Sequence, residues 1–292
     1  MNGFYGAAAL ALATQAFPTI ASAPASDAQC RADGPLTRLA ALPEASGLAA
    51  SRRIPNRLWA INDSGAAILF ALDAHGAVVA RVPLASVAVD DWEAIAVGPC
   101  DGGSCLYVGD IGDNRAKRKE ITIYRIWEPT GAKASAQVIG AIHAVYPDGP
   151  QDAESLLATP GGDLYIVTKG STGPVALYRV PRESPGGSTV RLERLGQPRE
   201  PGKIAASGRI TDGAVSPDGE WIVLRTHRAL LVYRTARFLA GNWREERAID
   251  LEKLGEHQGE GVTFGSDGSL YLAGEGGGNE RPGTLVRLLC GW

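Results

Sequence analysis

Apolar residues along this chain come in short runs that alternate with polar positions, not in the 3.6-residue rhythm of a helix. Each run is cut off by a turn rich in Gly, Asp, Pro or Ser. Five stretches repeat one order: an acidic residue, a short apolar strand, a turn, and a second strand ending in polar residues. They read EASGLAAS then RLWAINDSG, WEAIAVGP then CLYVGDIGDN, AESLLATPGG then DLYIVTKG, TDGAVSPDG then EWIVLRTH, and GEGVTFGSDG then SLYLAGEGG. The acidic positions are Glu44, Glu93, Glu154, Asp212 and Glu260, spaced by 49, 61, 58 and 48 residues, a period that suits a unit of four strands. Gly161-Gly162, Asp218-Gly219 and Asp267-Gly268 fall in the turns, where a tight hairpin demands positive φ.

Third strands follow at AILFALD, ITIYRIWEP, VALYRVP, ALLVYRT and TLVRLL, and fourth strands at AVVARVPL, QVIGAIHAVYP, TVRLERLG and REERAIDL. The fifth unit runs out of chain after its third strand, while LTRLAAL, ahead of the first unit, is left unassigned. The pattern therefore predicts an all-β fold, a β-propeller of five four-stranded blades whose ring is closed by the N-terminal strand. Six blades are the alternative, because the gaps of 61 and 58 residues leave slack. No linker divides the chain, so residues 24–292 are expected to form a single domain, with RESPGGS and QPREPGKIAASG as surface loops. Trp59, Trp92 and Trp221 lie in or beside strands and read as core, although Trp92 beside Glu93 has a second reading as a sugar-binding wall.

Composition adds a compartment. Residues 1–23 carry no charged side chain and end in Ala21-Ser22-Ala23, the pattern of a signal peptide, and no later segment has the 18 apolar residues of a membrane span. A soluble protein, secreted or periplasmic, is expected. In that compartment the four cysteines suggest two disulfides. Cys100 and Cys105 flank a hairpin turn; Cys30 and Cys290 stand at the two ends of the mature chain, and a closed ring would bring those ends together. The net charge of −3, with basic residues scattered, shows neither a nucleic-acid footprint nor a membrane-surface patch. The expected partner is a small anionic substrate or ligand, met by a monomer.

In a propeller the innermost strands all start at one face and the second strands end there. Glu44, Glu93, Glu154, Asp212 and Glu260 should then converge on one mouth of the channel. Asn62, Asp63, Asp110, Asp113, Asn114, Lys169, Arg225, His227 and Glu275 should form a wider ring around them. Crowded carboxylates repel, and a cation relieves them. Oxygen donors without thiolates or a His cluster favour Ca²⁺, with Asp90, Asp91 and Asp152 near enough in sequence to add ligands. The same acids have a second reading, as turn caps or as partners of Arg and Lys on neighbouring blades. Lys169 and Arg225 suit a phosphate or carboxylate, or else simply neutralise the acids, and Asn62, Asp110, Asn114 and Glu275 complete a substrate-facing set. His227 and His257 are candidate general bases. No GxSxG, P-loop or HExxH motif is present.

The phrases ASGLAAS with LWAINDSG, DDWEAIAV with LYVGDIGDN, DAESLL with LYIVTKG, and SPDG with VLRTH resemble a group of secreted bacterial propeller-repeat proteins described as phytase-like. EGVTFGSDGSLYLAGE is similar to blades of β-propeller phytases, and one acid per blade is similar to calcium-dependent lactonases and phosphotriesterases. The resemblance implies a channel-mouth Ca²⁺ that polarises a phosphoryl or carbonyl oxygen, with Glu44, Glu93, Glu154, Asp212 and Glu260 as its ligands. The lactonase type differs in having six blades and asparagines at some of these positions. On these grounds the sequence points to a Ca²⁺-dependent hydrolase of a phosphoester or lactone, or to a non-catalytic propeller that binds a sugar or a protein through the same face.

Overall fold

The computed structural model describes residues 1, 3, 30–131, 136–182, 188–196, 208–277 and 281–292. The expected signal peptide, apart from positions 1 and 3, lies outside them, as do most of the two expected loops RESPGGS and QPREPGKIAASG. Two short N-terminal strands, β1 (Arg31–Ala32) and β2 (Thr37–Leu39), precede the first blade. That blade is β3 (Ala45–Ala50), β4 (Arg57–Asn62), β5 (Ile68–Asp73) and β6 (Val78–Pro83). The second is β7 (Trp92–Cys100), β8 (Gly103–Asp110), β9 (Ile121–Trp127) and β10 (Val138–Val145). The third is β11 (Ala153–Ala158), β12 (Leu164–Thr168), β13 (Leu177–Val180) and β15 (Glu193–Gly196), while β14 (Val190–Arg191) adds in parallel to β10. The fourth is β16 (Ile210–Val215), β17 (Trp221–Thr226), β18 (Ala229–Arg234) and β19 (Arg247–Asp250). The fifth is β20 (Gln258–Phe264), β21 (Leu270–Glu275) and β22 (Gly283–Leu289), and both β1 and β2 pair with β22 to complete it. The fold is a five-bladed β-propeller closed by the N-terminal segment, as the unassigned LTRLAAL foretold.

The strands differ along each blade because their surroundings differ. Innermost β3 and β11 are buried on both faces through five of their six residues, so they read as runs of small and apolar side chains. Outermost β6 alternates, with Ala80 and Val82 turned in and Val79 and Arg81 turned out. The hairpin turn of the fourth blade closes with Gly219 N–H donating to Ser216 O at 2.9 Å, and Gly219 has the φ of 76° that its Asp-Gly signature foretold.

The core is five separate apolar interfaces, one between each pair of neighbouring blades. The last joins Tyr271 and Leu285 of the fifth blade to Leu48, Leu58 and Phe70 of the first, with Leu39 and Leu42 of the N-terminal segment filling the seam. Trp59, Trp92 and Trp221 are all buried; Trp92, 1% exposed, presents no wall to a sugar. Among the described residues no helix is long and apolar enough to cross a membrane.

Both expected disulfides are present. Cys100–Cys105 bridges the β7–β8 hairpin, and Cys30–Cys290 joins residues 260 apart in sequence where the N-terminal segment meets the end of β22 in the fifth blade, with Cα atoms 4.1 Å apart. Arg287 Nη1 pairs with Asp33 Oδ2 at 2.7 Å beside it. A crosslink that closes a long loop removes more unfolded-chain entropy than one that closes a short loop. Replacing Cys30 and Cys290 by serine should therefore cost about 2–5 kcal/mol in denaturant unfolding, and replacing Cys100 and Cys105 distinctly less. The reverse order would show that the seam is held by its strand pairing alone.

Candidate functional site

All five inner strands share one irregularity, and it builds the site. Ala45 faces Asn62 and Gly47 faces Ile61, which leaves Ser46 as an extra residue. The same register shift leaves Glu93 extra in β7, Glu154 in β11, Thr211 in β16 and Glu260 in β20. Such β-bulges break the in-out alternation and re-aim one side chain. Two of the five carry hydroxyls that reach the next blade: Ser46 Oγ donates to Trp92 O at 2.9 Å, and Thr211 Oγ1 lies 3.1 Å from Gly259 O. The other three are the buried carboxylates Glu93, Glu154 and Glu260.

A second ring surrounds them. Opposite the residue before each bulge stand Asn62, Asp110, Thr168, Thr226 and Gly274. One position further on come Asp63, Ile111, Lys169, His227 and Glu275. These side chains lie within electrostatic reach of one another across the channel, since Glu93 feels the charges of Asp91, Lys169, Glu260 and Asp63, the last three from three other blades. His227, from the fourth blade, feels Lys169 and Glu275.

Burial and mutual repulsion dominate the electrostatics here. Burial raises Glu260 to about 7, opposed by the Gln258 amide, Arg225 and Lys169. Burial, then the Glu260 charge, lifts Glu275 to about 7. Asp63 stands at about 6 through burial and the nearby Glu44. Glu93 is held well above the usual carboxylate range by burial and by Asp91. His227 is shifted the other way, toward the neutral ring, chiefly by burial, while its Nδ1 lies 3.1 Å from Gly259 O. Lys169 Nζ is bound to Glu154 Oε1.

The five acids expected to form one ring do not all occupy equivalent positions. Glu44 lies two residues before the bulge of its blade, in line with Asp91 and Asp152; it is exposed and accepts Ser64 Oγ at 2.5 Å. Asp212 lies one residue after its bulge, 1% exposed, where its Oδ2 accepts Val262 N at 2.7 Å and burial drives its proton affinity up. Among the described residues no three acidic, histidine or cysteine side chains stand close enough to cage a metal ion as placed.

The substrate-facing set divides as well. Lys169 and Glu275 belong to the mouth. Asn62 ends β4 with its Oδ1 buried and without a hydrogen-bond partner. The Arg225 guanidinium is wholly buried: Nη1 donates to Gly261 O at 2.6 Å and Ala273 O at 2.9 Å, and Nη2 binds Glu256 Oε2, so it ties the fourth blade to the fifth. Asp110 is buried and accepts Asp90 N at 3.1 Å, Asp91 N at 3.2 Å and Arg118 Nη1 at 2.7 Å. Asp113 is buried on Arg118 N at 2.6 Å, whereas Asn114 is exposed. His257 is exposed, with its ring against Gly277.

Two contributors went unread in the sequence. Arg118 organises the segment after β8, and Gln258 Nε2 donates to Glu260 Oε1 at 2.7 Å and also to Glu275. Gln258 occupies the position of Glu44, Asp91 and Asp152, so alignment on the bulge would have exposed it. Gly112 in the same segment lies so near Asp91 that a Cβ there would stand 2.4 Å from the carboxylate, so only glycine leaves Asp91 its place.

No protein-family model matches the chain, and no curated protein matches it. It is similar to a hydrazine synthase of Kuenenia stuttgartiensis at 17% identity and a TM-score of 0.41, covering 80% of this chain and 56% of that one. It is similar to the PQQ-bound aldose sugar dehydrogenase of Streptomyces coelicolor at 12% identity and a TM-score of 0.48, covering 91% of this chain and 100% of that one. The calcium-binding protein regucalcin of Agrobacterium tumefaciens aligns at 14% identity and a TM-score of 0.43, covering 85% of this chain and 91% of that one.

Proposed function

We propose that the channel mouth is the working surface of an exported propeller, that it takes a hard divalent cation of the Ca²⁺ class, and that with Lys169 it holds the anionic oxygens of a phosphoester, or the carbonyl oxygen of a lactone, for hydrolysis. The observation that carries this reading is the meeting of Asp63, Glu93, Glu260, Glu275 and Lys169, from four blades, around one opening.

The donor set fits such a cation. It is all oxygen, both cysteine pairs being closed as disulfides, and the buried Asn62 Oδ1 and Asp63 Oδ1 have no hydrogen-bond partner in the protein. Asp63, Glu93, Glu260 and Glu275 would hold it. Glu154 stays on Lys169, and Asp212 and Arg225 keep their bridging places between blades. Bound there, the cation supplies Lewis-acid polarisation of a phosphoryl or carbonyl oxygen.

The chain's own groups do the rest. Lys169, with Glu154 fixing one of its N–H bonds, directs the others at the phosphoryl or carbonyl oxygen of the substrate. His227 Nδ1, facing Gly259 O, carries the ring proton, and Nε2 is left as the acceptor. Its lowered proton affinity keeps the ring neutral at pH 7, ready to take a proton from water at Nε2. A non-catalytic sugar- or protein-binding module that uses the same face, with the cation serving only for rigidity, is the second reading, favoured by Arg225 and Asp212 being committed to the blade interface and not to the opening.

Two measurements test the proposal. Glu260 and Glu275 titrate near 7 when folded, against about 4.3 for a glutamate in the unfolded chain. Between those values the folded state binds more protons than the unfolded one, so the stability of metal-free protein falls as pH rises through the window. Its Tm should drop by roughly 2–8 °C from pH 5 to pH 8, and millimolar Ca²⁺ should raise Tm more at pH 8 than at pH 5. A flat profile that Ca²⁺ does not move removes the cation. Turnover screening with phosphate monoesters, phosphotriesters and lactones should find one hydrolysis that chelator abolishes. In that assay Lys169→Ala should raise KM roughly tenfold or more, and His227→Ala should lower kcat by about 100-fold. Ca²⁺ binding without turnover in any arm favours the binding module.

A further inference from the structure

The two ends of the channel differ in charge. Inner strands run from the acidic mouth to the opposite face, where Ala50, Val97, Ala158, Val215 and Phe264 surround a cavity of about 320 Å³. A smaller cavity of about 40 Å³, walled by Leu48, Ile95, Leu156 and Ala214, adjoins it between the inner strands. Its named walls are apolar, unlike the carboxylate-lined mouth.

Four of the five turns on the far face carry an aspartate that is engaged within its own blade. Asp101 pairs with Arg125 at 3.5 Å, Asp163 with Arg182 at 2.6 Å, and Asp267 with Arg287, while Asp218 accepts Ser216 Oγ at 2.5 Å. The turn of the first blade is different. It is longer, holds no acid, and places Arg52 and Arg53 on the rim of the cavity. Arg53 Nη1 donates to Glu128 O at 3.2 Å, and among the described residues neither arginine meets a carboxylate. The Glu128 carboxylate is turned away behind the turn, 1% exposed, where Ser51 Oγ, Trp59 Nε1 at 3.2 Å and Ser104 Oγ at 2.6 Å donate to it. Pro55, Pro160 and Pro217, from three different turns, stiffen the rim.

We infer that this far mouth is a second binding site, for a small organic anion whose apolar body lies against Val97, Val215 and Phe264 and whose charged head is held by Arg52 and Arg53. Its volume lies at the small end of ligand pockets, and an apolar wall with one or two convergent charged groups is how such pockets fix orientation. Guanidinium groups suit carboxylate, sulfonate and phosphate heads alike. The site is independent of the acidic mouth.

The test uses 8-anilinonaphthalene-1-sulfonate, followed by fluorescence on the intact, disulfide-bonded protein. Saturable binding at about one site per chain is expected. The double variant Arg52→Ala, Arg53→Ala should weaken it roughly tenfold or more, and the lysine pair should retain most of it. The uncharged N-phenyl-1-naphthylamine should bind the native protein roughly tenfold more weakly, since it lacks the head. Val215→Trp, which fills the cavity, should abolish binding, and Arg228→Ala, an exposed arginine elsewhere, should leave it unchanged. Both rim arginines are exposed, so their removal should leave circular dichroism intact. Native protein that does not bind the sulfonate, or a folded double alanine variant that binds it equally well, overturns the inference.

Discussion

Everything at the acidic mouth depends on how closely the five inner strands approach one another. A Cβ on Gly47 would stand 2.9 Å from Ile95 N, and one on Gly261 would stand 3.0 Å from Leu48 N, so neighbouring blades meet backbone to backbone near the axis. Strands packed this tightly leave no room for large side chains pointing along the ring. The bulge at one level of every inner strand resolves the conflict, because it takes one residue out of the alternation at the channel end. What stands there decides its use. Serine and threonine tie one blade to the next; glutamate leaves a carboxylate at the opening.

This explains which parts of the molecule were legible beforehand. Strand number, turn positions, ring closure and both disulfides follow from local periodicity and from the chain ends, which are short-range signals. Mouth composition was legible only in part. Glu93, Glu154 and Glu260 are at bulges, but Glu44 and Asp212 were aligned with them by chemical type, off by two residues and by one. An acid is not a position. The step of the strand is, and a bulge changes that step without a composition signature of its own. The small residue that follows four of the bulges, Gly47, Ala94, Ser155 or Gly261, was the available clue, and Asp212 breaks even that pattern.

Asp212 breaks it because, at this level, a buried charged cluster joins the fourth and fifth blades. Arg225, wholly buried, reaches two carbonyls and Glu256, while Asp212 caps Val262 N. Arg225 Nε, Glu256 Oε1 and Asp212 Oδ1 remain without partners. A buried charge in such a cluster is costly to leave unpaired, so removing any one member costs more than its own bonds. Arg225 read from sequence as an anion-binding cation because it stands, like Lys169, among the residues ending a second strand, whereas the strand register puts His227 level with Lys169. Its lack of solvent contact is a property of the blade interface, and no local motif reports it.

Because the core is five interfaces, rigidity of the mouth is a property of the closed ring. Asp63, Glu93, Lys169, His227 and Glu275 belong to five different blades, so their separations are set by the way blades pack, and each carboxylate's proton affinity responds to those separations. A repulsive cluster of this kind pushes blades apart. The fifth blade is the one built from both ends of the chain, so the ring is closed within it. Cys30–Cys290, the pairing of β1 and β2 with β22, and the Arg287–Asp33 ion pair lie inside the fifth blade, where they tie the segment that leads into the first blade to the last strand. Closure of the ring therefore fixes how the carboxylates stand to one another, and with it how strongly burial and their mutual charges raise their proton affinities.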